Sequence, residues 1–214
     1  MRRAVVMCAF LLAGSASASG VENAGRISIG AGARWVPNWW LSDHATTAGT
    51  PLVEHRAIGP SLNASFGYGV TPWLELSIDF FGGWDPLAIK LKDGTVGRYN
   101  SFMGAGAIGG RVIGKRLWGP VSPWLSVQGG GLFSSLSGPD VAHQEKFQPA
   151  IFAGGGIDVN VNASYGLSLD VRYLYGRNYF PGISGFNAGG VLVTLSFVIF
   201  FAPDQKRELE VPGF

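Results

Sequence analysis

The stretch Val70-Thr71-Pro72-Trp73-Leu74-Glu75-Leu76-Ser77 (VTPWLELS) returns in altered form as Val121-Ser122-Pro123-Trp124-Leu125-Ser126-Val127-Gln128 (VSPWLSVQ). Proline fixes its own φ and biases its predecessor toward extended backbone, so a Thr/Ser-Pro pair suits a tight connection. Each copy then runs into residues that alternate apolar and polar, the period of a strand with two unlike faces. The phrase reads as a short turn launching a strand. Its return predicts a repeated two-strand unit within one all-β architecture.

Working outward, the same alternation recurs along the chain. Ile27, Ile29, Ala31, Ala33 and Trp35 oppose Arg26, Ser28, Gly30, Gly32 and Arg34, and Leu62, Ala64, Phe66, Tyr68 and Val70 oppose Ser61, Asn63, Ser65, Gly67 and Gly69. The first phrase leads into Leu74, Leu76, Ile78 and Phe80 opposite Glu75, Ser77 and Asp79. A fourth segment, from about Asn100 to Ile113, sets Phe102, Ile108 and Val112 against Arg111, and the second phrase sets Leu125, Val127 and Phe133 against Ser126 and Gln128. Ile151 to Val161 opposes Asp158 and Asn160, Leu167 to Tyr175 opposes Ser168, Asp170 and Arg172, and Val191 to Ile199 opposes Thr194 and Ser196. These eight segments are each about 10 to 14 residues long. Globular strands run nearer 5 or 6, whereas a tilted strand that crosses a bilayer needs roughly 9 to 11.

The connections alternate too. Long ones are predicted over Pro37–His55, Trp84–Arg98, Ser135–Lys146 and Arg177–Gly185, and shorter ones over Val70–Pro72, Gly114–Pro123 and Asn162–Ser164. An up-and-down meander follows, with one short-turn end and one long-loop end. Both copies of the opening phrase are expected as turns at the short-turn end.

The location of charge decides which face points inward. Arg26, Arg34, Glu75, Asp79, Arg111, Asp158, Asp170 and Arg172 all fall on the non-apolar faces. A soluble periplasmic lipocalin-like barrel would place them outside, and this is an alternative reading of the same alternation. Three features favour the reverse arrangement. Trp35, Phe80, Phe133 and Tyr175 sit toward one end of the apolar faces and Tyr68, Tyr165 and Phe201 toward the other, as two aromatic girdles would. Gly, Ser and Ala dominate the polar faces, as a narrow lumen requires. Lys90, Lys92, Lys115 and Lys146 all fall in the predicted connections, leaving Arg and carboxylates to pair inside. By parity Trp73 and Trp124 share the face of Glu75 and Gln128, where they would close the short-turn mouth of the lumen or lie just beyond the strand.

The chain opens with Met1-Arg2-Arg3, an apolar stretch from Ala4 to Gly14, and Ser15-Ala16-Ser17-Ala18. This is the pattern of a secretory signal peptide over residues 1–18, read by the Sec route. It contains Cys8, the single cysteine, so the remaining chain holds neither a disulfide nor a Cys-ligated metal. Lys and Arg total 16 against 14 Asp and Glu, and Arg2 and Arg3 account for the excess, so nucleic acid is not expected as a partner. The most apolar run, Val191–Phe201, is broken by Thr194 and Ser196, which argues against a membrane-crossing helix.

The phrases GYGVTPWLELSIDF and GPVSPWLSVQGGG, the strand YGLSLDVRYLYG and the signal segment together give a sequence that resembles the small bacterial outer-membrane barrels of the OmpA/OmpX/OmpW-like kind. The resemblance covers residues 19–201 and implies an eight-stranded antiparallel up-and-down transmembrane β-barrel with short periplasmic turns and longer extracellular loops. It further implies the outer membrane of a Gram-negative bacterium as location, with membrane lipids and the outer-membrane assembly machinery as partners. Residues 202–214 (APDQKRELEVPGF) depart from it as a charged tail after the last strand.

No sequence pattern points to catalysis or a metal. His44, His55 and His143 lie in three predicted loops without a shared motif, and no cofactor is expected. Gly104-x-Gly106-x-x-Gly109 matches a dinucleotide fingerprint but has no helix after it, so it reads as lumen glycine. The function expected is non-enzymatic. It rests on a mostly closed lumen with a balanced Arg/Asp/Glu network and on loops serving envelope integrity or adhesion. The alternative is a narrow channel for small or hydrophobic solutes, with Trp39, Trp40 and Leu41 in the first loop as a contact site for a small hydrophobic ligand. Oligomeric state is left open.

Overall fold

The computed structural model describes residues 22–36, 54–55, 58–90, 96–114, 120–138, 141–162, 164–180 and 183–201. The predicted signal segment 1–18, the tail 202–214, Trp39, Trp40, Leu41 and His44 lie outside the described residues. The described residues form eleven strands: β1 (Gly25–Trp35), β2 (Glu54–His55), β3 (Ile58–Thr71), β4 (Leu74–Lys90), β5 (Val96–Ile113), β6 (Val121–Gly138), β7 (Val141–Asn160), β8 (Tyr165–Tyr175), β9 (Arg177–Phe180), β10 (Ile183–Asn187) and β11 (Gly190–Phe201). No helix occurs among the described residues. Eight strands pair in the order β4-β3-β1-β11-β8-β7-β6-β5, and β5 pairs back onto β4 to close an antiparallel barrel. The first and last barrel strands meet along their whole length, from Gly25 opposite Phe201 to Trp35 opposite Val191.

Alternation explains why the sheet rolls with this face outward. Along β3 and β8 the residues alternate between exposed and buried almost without a break. The exposed set is apolar: Leu62, Phe66, Leu76, Val127, Leu169, Leu195 and Phe197 all stand outside. The buried set is polar: Ser28, Ser65, Ser77, Ser126, Ser168 and Ser196 point inward with the charged side chains. A soluble barrel needs the opposite sorting, so the lipocalin-like alternative does not describe this molecule.

The strands are longer on one side than the alternation alone suggested. β4 and β5 run on to Lys90 and from Val96, and β6 and β7 to Gly138 and from Val141, so most of the connections expected at Trp84–Arg98 and Ser135–Lys146 are two hairpins that continue the ladder. Lys90 and Lys146 therefore lie in strands, as do His55 in β2 and His143 in β7. Part of the first predicted loop pairs as well, with Glu54 opposite Ala88 and His55 opposite Leu87. The segment expected as the Arg177–Gly185 loop forms the β9–β10 hairpin.

The two copies of the opening phrase adopt different structures. In the first, Pro72-Trp73 is the turn between β3 and β4, and the Thr71 hydroxyl accepts the Leu74 amide hydrogen at 3.0 Å. In the second, Val121, Ser122 and Pro123 are already in β6, opposite Val159, Asp158 and Ile157. There the reversal is completed by Pro120, and β5 ends at Ile113 with Gly114 N donating to Pro123 O at 2.7 Å. A ladder continued past that point would need the return hydrogen bond from an N–H that proline lacks.

Outward aromatics gather near both ends, with two adjustments. Tyr68, Tyr165 and Phe201 are exposed at the short-turn end, and Trp35 and Tyr175 at the other. Phe80 is exposed but sits mid-barrel, beside Ala64, which is itself beside Ile29 in the middle of β1. It was placed at a rim because β4 was expected to end there; Trp84, paired with Phe102, is the outward aromatic of β4 nearer that rim. Phe133 is half-buried against its partner Phe147.

Leu195, 57 % exposed on β11, tests the outward face. In lipid vesicles, Leu195→Arg is expected to destabilise the barrel by about 2–4 kcal/mol in urea unfolding, as a cation near a bilayer midplane should. An outward arginine that proved neutral would indicate a water-facing wall.

Candidate functional site in the barrel interior

All eight charged side chains singled out in the sequence are buried: Arg26, Arg34, Glu75, Asp79, Arg111, Asp158, Asp170 and Arg172 each expose less than a tenth of their surface. The structure sorts them into groups. Nearest the short turns, Arg26 Nε donates to Glu75 Oε1 at 3.2 Å, Arg111 Nη1 donates to the same oxygen at 3.4 Å, and Arg111 Nη2 donates to Asp158 Oδ2 at 2.5 Å. Arg26 Nη2 also donates to the Ser65 hydroxyl at 3.4 Å. Farther in, Arg172 pairs with Asp79 across the lumen and with Asp170 on its own strand, Nε to Oδ1, at 3.2 Å. Gln128 joins this group, its Nε2 donating to Asp79 Oδ2 at 2.5 Å and to the Ser77 hydroxyl at 2.7 Å.

Trp124 is 2 % exposed and lies between the groups, with the Arg111 guanidinium 4.2 Å and that of Arg172 5.2 Å from its ring centroid. Guanidinium over an indole face is a favourable cation–π contact once water is excluded. Trp73, at 47 % exposed, stays outside, because the turn breaks the parity that would have carried it inward. Of the two tryptophans expected at this mouth, one is in the lumen.

Beyond Arg172 the interior turns apolar. Phe81, Met103, Ala107, Leu132, Ala150, Phe152, Leu174, Leu192, Val36 and Ala188 form one buried cluster drawn from nearly every side of the barrel. Phe81 and Phe152 stack across it with centroids 5.6 Å apart. On β4, Phe81 stands between Asp79 and Asp85, so this layer separates the charged groups described above from a last one at the long-loop end.

That last group is Arg34 with Asp85. Arg34 pairs with Asp85 through Nη1, donates from Nε to Gly189 O at 2.7 Å and from Nη2 to Ala188 O at 2.5 Å. It thereby fixes the backbone that enters β11, where Gly190 takes a φ of 92°, a conformation strained for any side-chain-bearing residue. Sequence reading missed Asp85 because the strand was ended at Phe80. The signal was present: Glu75, Ser77, Asp79, Phe81, Gly83 and Asp85 keep one parity to the end. Gly104 and Gly106, read as lumen glycines, stand on the outward face with Phe102 and Ile108, and of that motif Gly109 alone shares the inward parity of Arg111.

Among the described residues there is no group of three or more His, Cys, Asp or Glu able to hold a metal ion. His143 is exposed and meets Glu145 at 2.9 Å, without a nucleophile in that pair. The geometry offers a filled interior rich in ion pairs and no catalytic constellation in the described part.

No family model matches the sequence, and no curated protein matches it. Solved structures do match. The outer membrane protein OprG from Pseudomonas aeruginosa superposes with a TM-score of 0.57 at 10 % identity over 85 % of this chain and 98 % of its own. Ail, the attachment invasion locus protein of Yersinia pestis, gives 0.51 at 13 % identity over 84 % of this chain and 99 % of Ail. The fold is that of the eight-stranded outer-membrane barrels. At such identities the likeness lies in strand number, pairing and inverted faces. Within an outer-membrane barrel of this size the lumen is just wide enough for side chains to fill, and here they do.

The Arg34–Asp85 pair gives a direct test. Asp85→Ala leaves a buried guanidinium unpaired and is expected to cost about 3–5 kcal/mol in urea unfolding, whereas Arg34→Leu combined with Asp85→Leu should recover most of it. A double variant no more stable than Asp85→Ala would mean that the loss does not come from stranding the Arg34 charge.

Proposed function

We propose that the chain is a non-enzymatic outer-membrane barrel with a closed interior, whose activity is carried by the long-loop end in envelope integrity or adhesion. The carrying observation is the Phe81–Phe152 layer. With Leu132, Leu174, Leu192 and Met103 fully or almost fully buried around it, this layer fills the centre between Arg172 and Arg34 with apolar side chains, while Ser61, Asn63 and Ser196 line the wall beside it. An apolar constriction of this kind excludes ions, which would have to shed their hydration shells to pass. The exposed apolar wall supports a lipid environment, and alternating short and long connections support periplasmic turns with loops facing outward.

The long-loop end also offers surface. The β4–β5 and β6–β7 hairpins continue beyond the positions where β1 and β8 stop, and His143, Glu145, Lys146 and Phe147 are exposed on the latter hairpin. Ail, which carries attachment and invasion in its name, shows one use of this fold; at 13 % identity that use belongs to Ail. Assembly machinery remains an expectation from the resemblance, and a hydrophobic ligand at Trp39–Leu41 one from the apolar cluster in the sequence.

Planar-bilayer recording separates a closed barrel from a channel. The wild-type protein is expected to give no stepwise conductance, and Phe81→Ala with Phe152→Ala should open one by removing both rings of the constriction. Conductance steps in the wild type would favour the channel. Cell-surface binding lost on trimming the β6–β7 hairpin, with the barrel still heat-modifiable on gels, would place the activity at that end.

A further inference from the structure

Among the described residues the charges inside the barrel do not show the expected balance, because Asp85 adds a fifth buried carboxylate to four arginines. Arg26 and Arg111 are matched by Glu75 and Asp158 in one chain of contacts, and Arg34 is matched by Asp85 beyond the apolar layer. Arg172 faces two carboxylates, Asp79 and Asp170. Among the described residues no further guanidinium bonds to this group: Arg26, whose charge also acts on Asp79, is paired with Glu75, while β3 offers Ser65 and Asn63, β6 offers Gln128 and Trp124, and β11 offers Thr194 and Ser196 inward. All three members of the Asp79–Arg172–Asp170 group are nearly inaccessible. Guanidinium is always charged, so the group carries one negative charge in excess, and an uncompensated buried charge costs several kcal/mol.

A second observation locates what is missing. Thr194 is 1 % exposed, lies directly opposite Asp170 in the β8–β11 register on the inward side, and its hydroxyl has no hydrogen-bond partner. Asp79 Oδ1 is likewise buried without a hydrogen bond of ordinary length, with the Ser65 hydroxyl near its carboxylate, while its Oδ2 takes both Arg172 and Gln128. A hydroxyl oxygen and a carboxylate oxygen left unmatched beside an excess carboxylate are hard oxygen ligands, of the kind that hold a hard cation. Charge balance asks for a single positive charge.

We infer that the Asp79–Arg172–Asp170 group binds one alkali-metal cation, with the Thr194 hydroxyl among its ligands. The ion enters from the short-turn side, since the centre beyond Arg172 is filled by the apolar cluster. Its role is to complete the inner network, so the barrel's stability follows the cation that bathes that end.

The test uses the full barrel refolded in zwitterionic detergent at constant neutral pH and ionic strength, with sodium or potassium chloride replacing tetramethylammonium chloride. The folded-to-unfolded ratio in urea is read from the heat-modifiable gel band. Above half-saturation it should rise about tenfold for each tenfold of alkali cation, as for any ligand that binds the folded state alone. Thr194→Val, which exchanges the hydroxyl for a methyl, should raise the half-saturating concentration about tenfold with the fold retained. Asp170→Asn should abolish the response and leave the barrel stable in tetramethylammonium. No response in the wild type would overturn the inference and assign the missing charge to a proton. A response left unchanged in Thr194→Val would overturn it too, even if Asp170→Asn fails to fold. Neither readout involves conductance, so a failure here is distinct from a failure of the closed-barrel reading.

Discussion

In hydrocarbon every backbone N–H and C=O must find its partner within the protein, and for strands this means that the ladder has to close. The pairing of β1 with β11 meets that demand over eleven consecutive positions, and the pairing of β4 with β5 continues it over seventeen. Once the wall is closed, period two leaves each side chain only two destinations. Those that face out meet the solvent of the barrel's exterior, and those that face in share a space about as wide as two side chains. The composition of each strand follows from that division.

The interior meets a harder constraint than the exterior. Charged groups taken from water must be paired and hydrogen-bonded, or they destabilise the structure that holds them. Arginine suits this confinement, since its planar fork reaches two partners at once: Arg111 serves Glu75 and Asp158, Arg172 serves Asp79 and Asp170, and Arg34 serves Asp85 and two backbone carbonyls. Aromatic and aliphatic side chains fill the level between. The lumen is therefore a folded core that happens to be polar at one end, apolar in the middle and clamped at the other.

Much of this was legible because alternation survives translation into three dimensions. The apolar parity of β8, Leu167 to Tyr175, needed no knowledge of neighbours to be assigned one face. The repeated phrase was less reliable. Val-Thr-Pro-Trp makes a turn before Leu74 and Val-Ser-Pro-Trp a strand before Leu125, because β3 reverses through Pro72-Trp73 whereas the chain after Ile113 has already reversed by Pro120. Local preference permits both outcomes, and the length of chain available for the reversal selects one. Phe80 and Asp85 show the same limit at the other end of β4, where paired glycines, Gly82 and Gly83, interrupt the pattern without ending the strand.

What the sequence determined by itself is the set of faces: eight alternating segments, charges confined to one side of them, aromatics near their ends. Those are properties of residue order, readable one strand at a time. Which charge meets which was decided by the tertiary structure, since Arg172 and Asp79 are brought together only when the wall closes and sets β8 across the lumen from β4. The excess carboxylate at Arg172, the seating of Trp124 between two guanidiniums and the clamp of Arg34 on Ala188 and Gly189 belong to that second level. Register and closure create them, and no single strand contains the information.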